Sequence, residues 1–457
     1  MKMKIISLLF LSLLLHTSIF ADQSLSLDQA IDILKKQNLE IQVASLEIKS
    51  AIAEQNTVSG MSLGKLDFIQ DVARSNDAGN VFGFKLSSRE ASFNDFGFDE
   101  FLANMSASPS TLLAIQANNL NYPESRNYFQ SKLKYEVPLF TGFALTNHEN
   151  IMQFMTKMKT LNKEQIVNEK VYELRKSFYD MALLNSSSEN LATILHNISL
   201  LEEMTESMIN VGYAKKVDLL EVQAKKGNVQ RLLIQMDSNK NLLYHYISFL
   251  LNTKVTHITA PSSELLMPQY SEEDILQNNL DIQKAQTGLL IRESMVNVSK
   301  ASYYPTLGAF GEVSTADDAF LNDAADHKAY TVGARLTWNV FNGGIDSSKI
   351  EHSRLEQLKT ASQVQLARKG IALQIAKIYT QIKSADAEIK SLEAELALAD
   401  VIYKNYEGRY KEKLSSMSDV IIKQSEQIQK ILELQVAKNK RNQKVFALEK
   451  LANGEEK

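Results

Sequence analysis

Two stretches of sequence decide the fold, FQSKLKYEVPLFTG at residues 129–142 and YTVGARLTWNVFNG at residues 330–343. In both, apolar side chains alternate with polar ones over about ten residues, which predicts a β-strand with one apolar and one polar face. About ten residues is also the length of a tilted strand that crosses a lipid bilayer. We therefore predict membrane-spanning strands whose polar faces carry Lys132, Lys134, Arg335 and Asn339.

Long segments without helix-breaking residues follow both stretches. Proline is absent between Pro138 and Pro261 and again after Pro305, and glycine is absent between Gly142 and Gly212. Such segments can form unbroken helices, and about seventy residues at a rise of ~1.5 Å give a rod on the order of 100 Å. Apolar residues three and four positions apart make one stripe, which is typical of coiled-coil packing. The stripe consists of Val171, Leu174, Phe178, Met181, Leu191, Leu195, Ile198 and Leu201.

The sequence repeats itself, because Phe140–Gly142 has a counterpart 201 residues later in Phe341–Gly343. Apolar positions of the helices keep the same displacement, for example at Phe178 and Tyr379. One repetition of about 200 residues indicates a duplication and not a solenoid. We predict a signal peptide at residues 1–21, a first repeat at 22–260 and a second repeat of the same single domain at 261–457.

The first half contains an insertion. Residues 38–44 resemble residues 279–285, which lie 241 positions later and not 201. The first half therefore has about 40 extra residues between its opening helix and its Phe-Thr-Gly turn. They lie around residues 75–126, a segment rich in Gly, Asn, Asp, Ser and Phe, and they predict an enlarged loop between two strands.

The amino terminus has the pattern of an export signal. Lys2 and Lys4 precede an eleven-residue apolar run from Ile5 to Leu15, and small residues lead to Ala21. This predicts a secretory signal peptide cut after Ala21. A retained anchor is the weaker alternative, because a spanning helix needs about 20 residues.

Composition excludes several classes of site. The chain has 0 Cys, which excludes disulfides, thiolate metal sites, a Cys nucleophile and a lipidated cysteine. Its 50 Lys+Arg against 54 Asp+Glu offer no broad attraction to nucleic acid. No phosphate-binding loop, G-x-S-x-G elbow or H-E-x-x-H motif occurs, so we predict no catalytic, cofactor-binding or metal-binding residue and no enzymatic activity. The acidic run at residues 317–327 is open to two interpretations, a metal site or a solvated loop.

Four strands cannot close a barrel by themselves. An open sheet edge in lipid leaves backbone N–H and C=O groups unpaired, at several kcal/mol each. Closure therefore requires strands from several copies. Two copies give about eight strands, whose interior fills with side chains, and three give about twelve, which is wide enough for a pore.

With these features the chain resembles the TolC-like outer-membrane efflux proteins, the outer membrane factor family. The resemblance covers residues 22–454 and rests on the signal, the duplication and several motifs. These motifs are the junctions at 138–142 and 340–344, the opening of the third strand at 304–307, and the tip at 211–212 with 217–220.

The resemblance implies a mainly α fold with a membrane β-barrel part, built as a homotrimer. Four transmembrane strands per chain would form a twelve-stranded barrel in the outer membrane, which continues into a periplasmic tunnel of long antiparallel coiled-coil helices. The implied function is a passive exit duct of a tripartite efflux or type I secretion system. A periplasmic adaptor (membrane fusion) protein and an inner-membrane pump of the RND or ABC type would be its partners, with outer-membrane lipid around the barrel.

The resemblance also implies residue roles. Asp419 matches the acidic ring at the periplasmic aperture, and Asp218 and Tyr410 match the closing contacts between tip helices. A second acid of the ring is Ile422 here, and a tip glycine is Lys413. The adaptor-contacting tips are Val211, Gly212, Val217, Lys413, Ser415 and Ser416, and the strand-to-helix junctions are Pro138, Phe140, Gly142, Phe341, Gly343 and Gly344.

Several alternatives stay open at this point. Asp218 and Asp419 can also be helix N-caps, with or without a role in gating. The protein can also be a periplasmic coiled-coil scaffold or adhesin whose strands form a small soluble sheet. The cargo, the partner pump and the resting state of the tip stay open, and the loop around residues 75–126 can lie outside the cell or fold into the mouth.

Overall fold

Helices make up most of the chain, as predicted. The computed structural model describes residues 24–261, 265–320, 322–323 and 325–453, so the predicted signal peptide at 1–21 lies outside the described residues. The elements in chain order are α1 (Leu27–Gln37), α2 (Leu39–Gly60), β1 (Lys65–Ser75), α3 (Ala78–Ser87), α4 (Phe98–Ala103), α5 (Pro109–Leu113), α6 (Asn118–Asn121), β2 (Arg126–Phe140), α7 (Ala144–Asn210), α8 (Lys216–Leu251), α9 (Glu272–Asn278), α10 (Leu280–Lys300), β3 (Thr306–Asp317), β4 (Lys328–Thr337), α11 (Ile345–Lys411) and α12 (Met417–Ala452). Among the helices described, none combines the length and the apolar character needed to cross a membrane.

The chain forms two compact units, and each half of the sequence contributes to both. The helical unit comprises the described parts of Met1–Lys49, Met158–Gln286 and Ser362–Lys457. The sheet unit comprises Ser50–Lys157 and Thr287–Ala361.

The long helices occur as two matched pairs. α7 and α11 are each 67 residues long, and α8 and α12 are each 36. α8 and α12 both end at an asparagine in the left-handed conformation, Asn252 with φ of 50° and Asn453 with φ of 51°. Corresponding ends are 201 residues apart. A shared length, displacement and end point show that one supersecondary unit occurs twice.

The cores of the helical unit repeat as well. One core contains Leu34, Ile41 and Leu174, and a second contains their counterparts Ile275, Ile282 and Ile375. A third core joins α7, α8, α11 and α12 and contains Leu191, Ile198 and Leu201 of the predicted stripe. The apolar stripe is therefore buried between helices, as its spacing predicts.

A buried asparagine joins the first two helices of each half. The Oδ1 atom of Asn38 accepts hydrogen bonds from the backbone N–H groups of Glu40 and Ile41 at 3.0 and 3.1 Å. Its Nδ2 atom donates to the carbonyl oxygen of Leu250 at 2.8 Å. Asn279 makes the same three contacts, with Asp281, Ile282 and Leu451. One side-chain amide thus bonds the free N–H groups at the start of one helix and a free carbonyl near the end of another, where water has no access.

Replacement of this asparagine tests its structural role. We expect Asn279→Ala to destabilise the helical unit by about 1–3 kcal/mol, because it removes a cap and leaves a buried carbonyl unpaired. Thermal unfolding followed by circular dichroism in detergent measures the change. Asn278→Ala is the matched control, since that neighbouring side chain is exposed and bonds only within its own helix. Equal unfolding midpoints for the two variants would contradict the assignment.

The sheet is antiparallel in the order β1-β2-β3-β4. β1 pairs with β2 from Lys65 opposite Glu136 to Ser75 opposite Arg126. The register of β2 with β3 shifts between Pro138 and Phe140, where proline offers no N–H to the ladder.

The fourth strand is shorter than predicted. The alternating pattern continues to Val340, whereas β4 ends at Thr337. Thr337 pairs with Thr306, the first residue of β3, so residues 338–340 have no strand opposite them. Asn339 is therefore not on the polar face of β4, and its prediction there is wrong.

The predicted enlarged loop lies between β1 and β2, with both boundaries as expected. It is not irregular, however, because α3 to α6 occupy much of it. We call residues 76–125 the lobe. Its helices are 4 to 10 residues long, too short to show a helical period in the sequence.

Candidate functional site: the two-faced sheet and the hairpin turns

One face of the sheet is apolar and exposed. Phe68, Leu133, Val313 and Tyr330 lie opposite one another on successive strands and form a row across the sheet. All four are among the exposed large apolar side chains of the described chain. Others on this face are Leu66, Val72, Tyr135, Val332 and Leu336. Soluble monomers rarely expose an apolar surface of this extent, so the face requires a partner or lipid.

The opposite face is charged. Asp67, Lys134, Glu312 and Thr331 form the corresponding row there. Ion pairs join Lys65 to Asp67 at 2.7 Å and Lys134 to Glu136 at 2.7 Å, and Lys132 to Glu312 at 3.5 Å. Arg335, opposite Gly308, lies on this face as well. The structure therefore confirms the predicted polar positions Lys132, Lys134 and Arg335.

The sheet has two open edges within the described residues. β1 pairs only with β2, and β4 pairs only with β3. Each edge leaves a row of backbone N–H and C=O groups unpaired, which is tolerable in water and costly in lipid. A sheet with an apolar face and open edges can enter a bilayer only when other strands complete it.

The first strand-to-helix junction requires glycine. Gly142 has φ of 63°, a conformation that side chains disfavour. A Cβ atom there would lie 2.6 Å from the carbonyl oxygen of Ala301 and 3.0 Å from the Cβ of Tyr304. Thr141 then caps α7, since its Oγ1 accepts from the N–H of Leu145 at 3.1 Å. The predicted junction residue Gly142 is therefore required both by its backbone conformation and by its close packing against Ala301 and Tyr304.

The second junction has the same backbone path. Gly343 has φ of 69° and matches Gly142, and Gly344 has φ of 84° and matches Phe143, whose φ is 68°. Phe341 is exposed here, whereas the first junction packs Phe140 against Phe143 at 5.2 Å between ring centroids. Gly344 therefore removes a strain that the first half keeps.

The hairpin turns also match one another, despite the loss of a glycine. Gly212 has φ of 80° and Lys413 has φ of 62°. The N–H groups of Gly212 and Lys413 donate to the residue three before them at 2.9 Å, and the following N–H donates five residues back at 2.8 Å in both turns. Lys413 thus adopts the left-handed turn conformation of the glycine it replaces. Val211 and Val217 are exposed beside the first turn.

Asp218 and Asp419 are not N-caps. The N-cap residues are Lys215 and Ser416, and each aspartate lies three residues later. Asp218 Oδ2 accepts from the N–H of Lys215 at 2.7 Å, and Asp419 Oδ2 accepts from the N–H of Ser416 at 3.1 Å. The Ser416 hydroxyl donates to Asp419 Oδ2 at 2.7 Å and accepts from the Asp419 N–H at 3.1 Å. This is a capping box, in which residue N3 reaches back to the cap.

Tyr410 lies in the apolar core next to the turns, whereas Asp218 is half-buried. Burial raises the pKa of Tyr410, the Thr205 hydroxyl opposes this, and the nearby Asp218 carboxylate adds to the rise. The two predicted closing residues are therefore neighbours in one chain, although no hydrogen bond joins them within the described residues.

The structure also shows contacts that sequence reasoning missed. The Nζ atom of Lys413 lies 3.2 Å from the ring centroid of Tyr213, so one hairpin turn contacts the other. The Ser418 hydroxyl donates to Glu221 Oε2 at 2.7 Å between α12 and α8. Gln424 is fully buried in α12, and neither atom of its amide has a partner within the described residues. Contacts between residues about 200 positions apart in the chain leave no local signal in a single sequence.

The acidic run that begins at the end of β3 is held by backbone hydrogen bonds and lies next to Arg126. Asp317 is buried and accepts hydrogen bonds from the N–H groups of Asp318 and Asp323 at 2.6 and 2.8 Å. Asp317, Asp318 and Glu90 could supply carboxylate oxygens to one ion, but Arg126 pairs with Glu90 and lies 3.9 Å from Asp318. The Arg126 guanidinium therefore already supplies positive charge next to these carboxylates, where a metal ion would otherwise do so.

Comparison with known proteins agrees with this geometry. Residues 273–454 match the protein family described as outer membrane efflux protein. No curated protein sequence matches the chain.

Solved structures share the fold over nearly the whole length. CusC, studied for conformational changes that accompany folding and transmembrane channel formation, has a TM-score of 0.77 at 13% identity, over 94% of this chain and 92% of CusC. VceC of Vibrio cholerae has a TM-score of 0.75 at 13% identity, over 94% of this chain and 96% of VceC. The CmeC channel of Campylobacter jejuni has a TM-score of 0.73 at 13% identity, over 93% and 85%. The predicted fold class is confirmed.

Proposed function

We propose, from the chain's membership of the TolC-like outer-membrane efflux protein family, that three copies form the channel-tunnel of a tripartite efflux or type I secretion system. The family gives the localisation, the outer membrane with a large periplasmic part. Its members are channels and not enzymes. The duct is passive, and the energy for export comes from its partners.

The two-faced open sheet is the observation that carries this proposal. Its apolar face suits lipid, its charged face suits water, and its two edges need strands from other copies. Three copies supply about twelve strands, which enclose a pore instead of a side-chain core. A soluble scaffold or adhesin does not explain the exposed row of Phe68, Leu133, Val313 and Tyr330, because soluble proteins rarely expose large apolar patches.

The hairpin turns are the proposed contacts of a periplasmic adaptor protein, which links the duct to an inner-membrane pump of the RND or ABC type. The turns at 211–217 and 413–416 expose most of their side chains and hold a defined shape through matched hydrogen bonds. The contact between Lys413 and Tyr213 holds the two turns side by side, so that one adaptor surface can bind both. Lys413 adds a positive charge to this surface where a glycine would add none.

Asp419 is the proposed acidic residue of the aperture. A ring of three carboxylates at a constriction favours cations and hinders anions. Its capping-box geometry supports the role, because hydrogen bonds from Ser416 fix the position of the carboxylate.

The pH dependence of this selectivity is a testable prediction. Hydrogen bonds from the Ser416 hydroxyl and N–H lower the pKa of Asp419 below its ordinary 3.8. A lowered pKa keeps the carboxylate charged above pH 3.8, and both the charge and its capping contribution are lost only as the pH falls through the lowered value. We expect the cation preference, measured from reversal potentials in planar bilayers, to persist from neutral pH to about pH 5.

Asp419→Asn should remove most of the cation preference, while Asp218→Asn, at the matching position of the other hairpin, should remove less. A preference that disappears between neutral pH and about pH 5 would point to histidine and not to Asp419.

Reconstitution tests the channel function itself. The purified full chain should produce discrete conductance steps in planar lipid bilayers and should require detergent for extraction. Recovery of the chain in the aqueous fraction without detergent, together with no conductance, would favour the scaffold or adhesin.

A further inference from the structure

We infer that the lobe, residues 76–125, folds inward over the channel-facing side of the sheet and narrows the outer mouth of the duct. The inference rests on the proposed function, since it needs the charged face of the sheet to line a channel. It concerns the end of the sheet that is remote from the strand-to-helix junctions, where β1 ends and β2 begins. No comparable segment exists in the second half, where residues 318–327 suffice to connect β3 and β4.

The side of the sheet that the lobe covers follows from strand register. Arg126 and Tyr128 are an even number of positions from Lys132 and Lys134 along β2, so their side chains leave the sheet on the same, charged face. Their partners on β1 are Ser75 and Ala73.

Contacts of the lobe are made to this face. The ring of Phe84 stacks on Tyr128 with centroids 4.2 Å apart and an angle of 12° between planes. Arg126 forms an ion pair with Glu90, and its Nη2 atom lies 3.4 Å from the hydroxyl of Ser88. An aromatic stack and an ion pair therefore hold α3 and the residues after it against the channel side.

A second anchor reaches across the sheet. The Nη2 atom of Arg89 donates to the carbonyl oxygen of Lys328 at 2.6 Å, at the start of β4. α3 packs against both β2 and β3, and Ala316, on the charged face of β3, is buried. The lobe thus crosses the end of the sheet from β2 towards β4 and does not project freely beyond β1 and β2.

The lobe is folded and not a loose loop. Lys85 pairs with the buried Asp95, whose carboxylate also accepts from the N–H of Ser92 at 2.7 Å. Phe82 and Phe96 pack edge to face with centroids 5.6 Å apart. At Gly97, with φ of 85°, a Cβ atom would lie 3.0 Å from Ala117, so the backbone before α6 approaches closely. A rigid body of about fifty residues fixed over the charged face obstructs a channel more than a mobile loop does.

The lobe exposes several large apolar side chains. Phe93, Phe101, Met105 and Leu113 are exposed on it. Apolar constrictions oppose the passage of water and ions by dewetting, so copies of the lobe around one mouth would hinder polar solutes. A lobe in this position would control entry from outside the cell.

Cysteine accessibility tests this inference, because the chain has 0 Cys and each introduced thiol reports alone. Thr331→Cys places a thiol on the charged face, and Asn322→Cys places one in the exposed β3–β4 connection. Intact cells are treated with a small membrane-impermeant maleimide or with a bulky polyethylene-glycol maleimide. We expect both reagents to label Asn322→Cys, and only the small one to label Thr331→Cys.

Removal of the lobe supplies the comparison. When residues 78–122 are replaced by a short Gly-Ser turn, the bulky reagent should also label Thr331→Cys. The triple variant Phe84→Ala Arg89→Gln Arg126→Gln keeps the lobe but removes its anchors on β2 and at the start of β4. It should have the same effect, and it tests the inference even if the deletion does not assemble.

Two failures are distinguishable. If the bulky reagent labels Thr331→Cys equally with the lobe present and anchored, the lobe does not narrow the mouth, and the proposed channel stands. If neither reagent labels Asn322→Cys on intact cells, the strands do not reach the outer surface, and the proposed function fails together with this inference.

Discussion

Replacement of Val332 by arginine is expected to abolish assembly in the outer membrane. Val332 lies on the apolar face of β4, opposite Gly311, and its side chain is 78% exposed in a single chain. An arginine at the midplane of a barrel's lipid face costs about 2–4 kcal/mol per strand, and a ring of three copies incurs this cost three times. Membrane fractionation and native gel electrophoresis measure the loss.

Thr331→Arg is the matched control for this variant. Thr331 is the preceding residue on β4, opposite Glu312 on the charged face. The same added charge there faces water in a closed channel, so we expect a normal amount of assembled protein. The two-faced assignment is wrong if both variants assemble equally or if only Thr331→Arg fails.

The second large effect is expected at a buried ion pair in the helical unit. Arg175 of α7 and Glu449 of α12 are 6% and 9% exposed, and their charged groups are 2.8 Å apart. Glu449→Leu leaves the guanidinium buried without its carboxylate, which should cost about 3–5 kcal/mol. The cation–π contact of Arg175 with Phe446 at 5.3 Å does not replace a full negative charge. The midpoint of thermal unfolding in detergent should fall accordingly.

The double variant Arg175→Met Glu449→Leu distinguishes the loss of the whole ion pair from the loss of one partner. Apolar residues of similar size can replace a buried ion pair at little cost, because the desolvation penalty disappears together with the attraction. We expect the double variant to regain most of the lost stability. A double variant as unstable as Glu449→Leu alone would show that packing, and not the lost attraction between the guanidinium and the carboxylate, causes the loss.

Much of the fold could be predicted because its signals are local and repeated. The alternation in 129–139 extends over a full strand, and the helices are long enough for an apolar stripe to stand out from noise. Because the pattern occurs in both halves of the sequence, each helix of one half could be compared with a counterpart in the other. The equal lengths of α7 and α11 agree with this comparison. The weaker prediction was the end of β4, which depends on where β3 begins and not on the residues of β4.

The predictions for the hairpin turns were less complete. Residue type alone suggested that Asp218 and Asp419 cap their helices, whereas both lie at N3, where an acidic side chain reaches back to the cap. Lys413 differs from the glycine pattern, yet the turn is maintained by hydrogen bonds from its N–H to the Tyr410 carbonyl and from the Leu414 N–H to the Arg409 carbonyl. Its contact with Tyr213 and the buried amide of Gln424 depend on tertiary structure and have no signature in sequence.

The lobe shows a third limit. Its composition predicted a loop, and its position between β1 and β2 is as expected. Its helices are short, and they are held by the Lys85 to Asp95 pair and by aromatic contacts instead of by periodic apolar residues. The face of the sheet on which it packs is determined by Phe84 and Tyr128, two residues that no sequence pattern connects.

Native mass spectrometry of the detergent-extracted protein determines whether several chains join to close the membrane wall, as the four strands of one chain require. We expect an assembly with the mass of three chains that persists when detergent is removed in the gas phase. A mass of one chain, from protein that is stable in water without detergent, would contradict it.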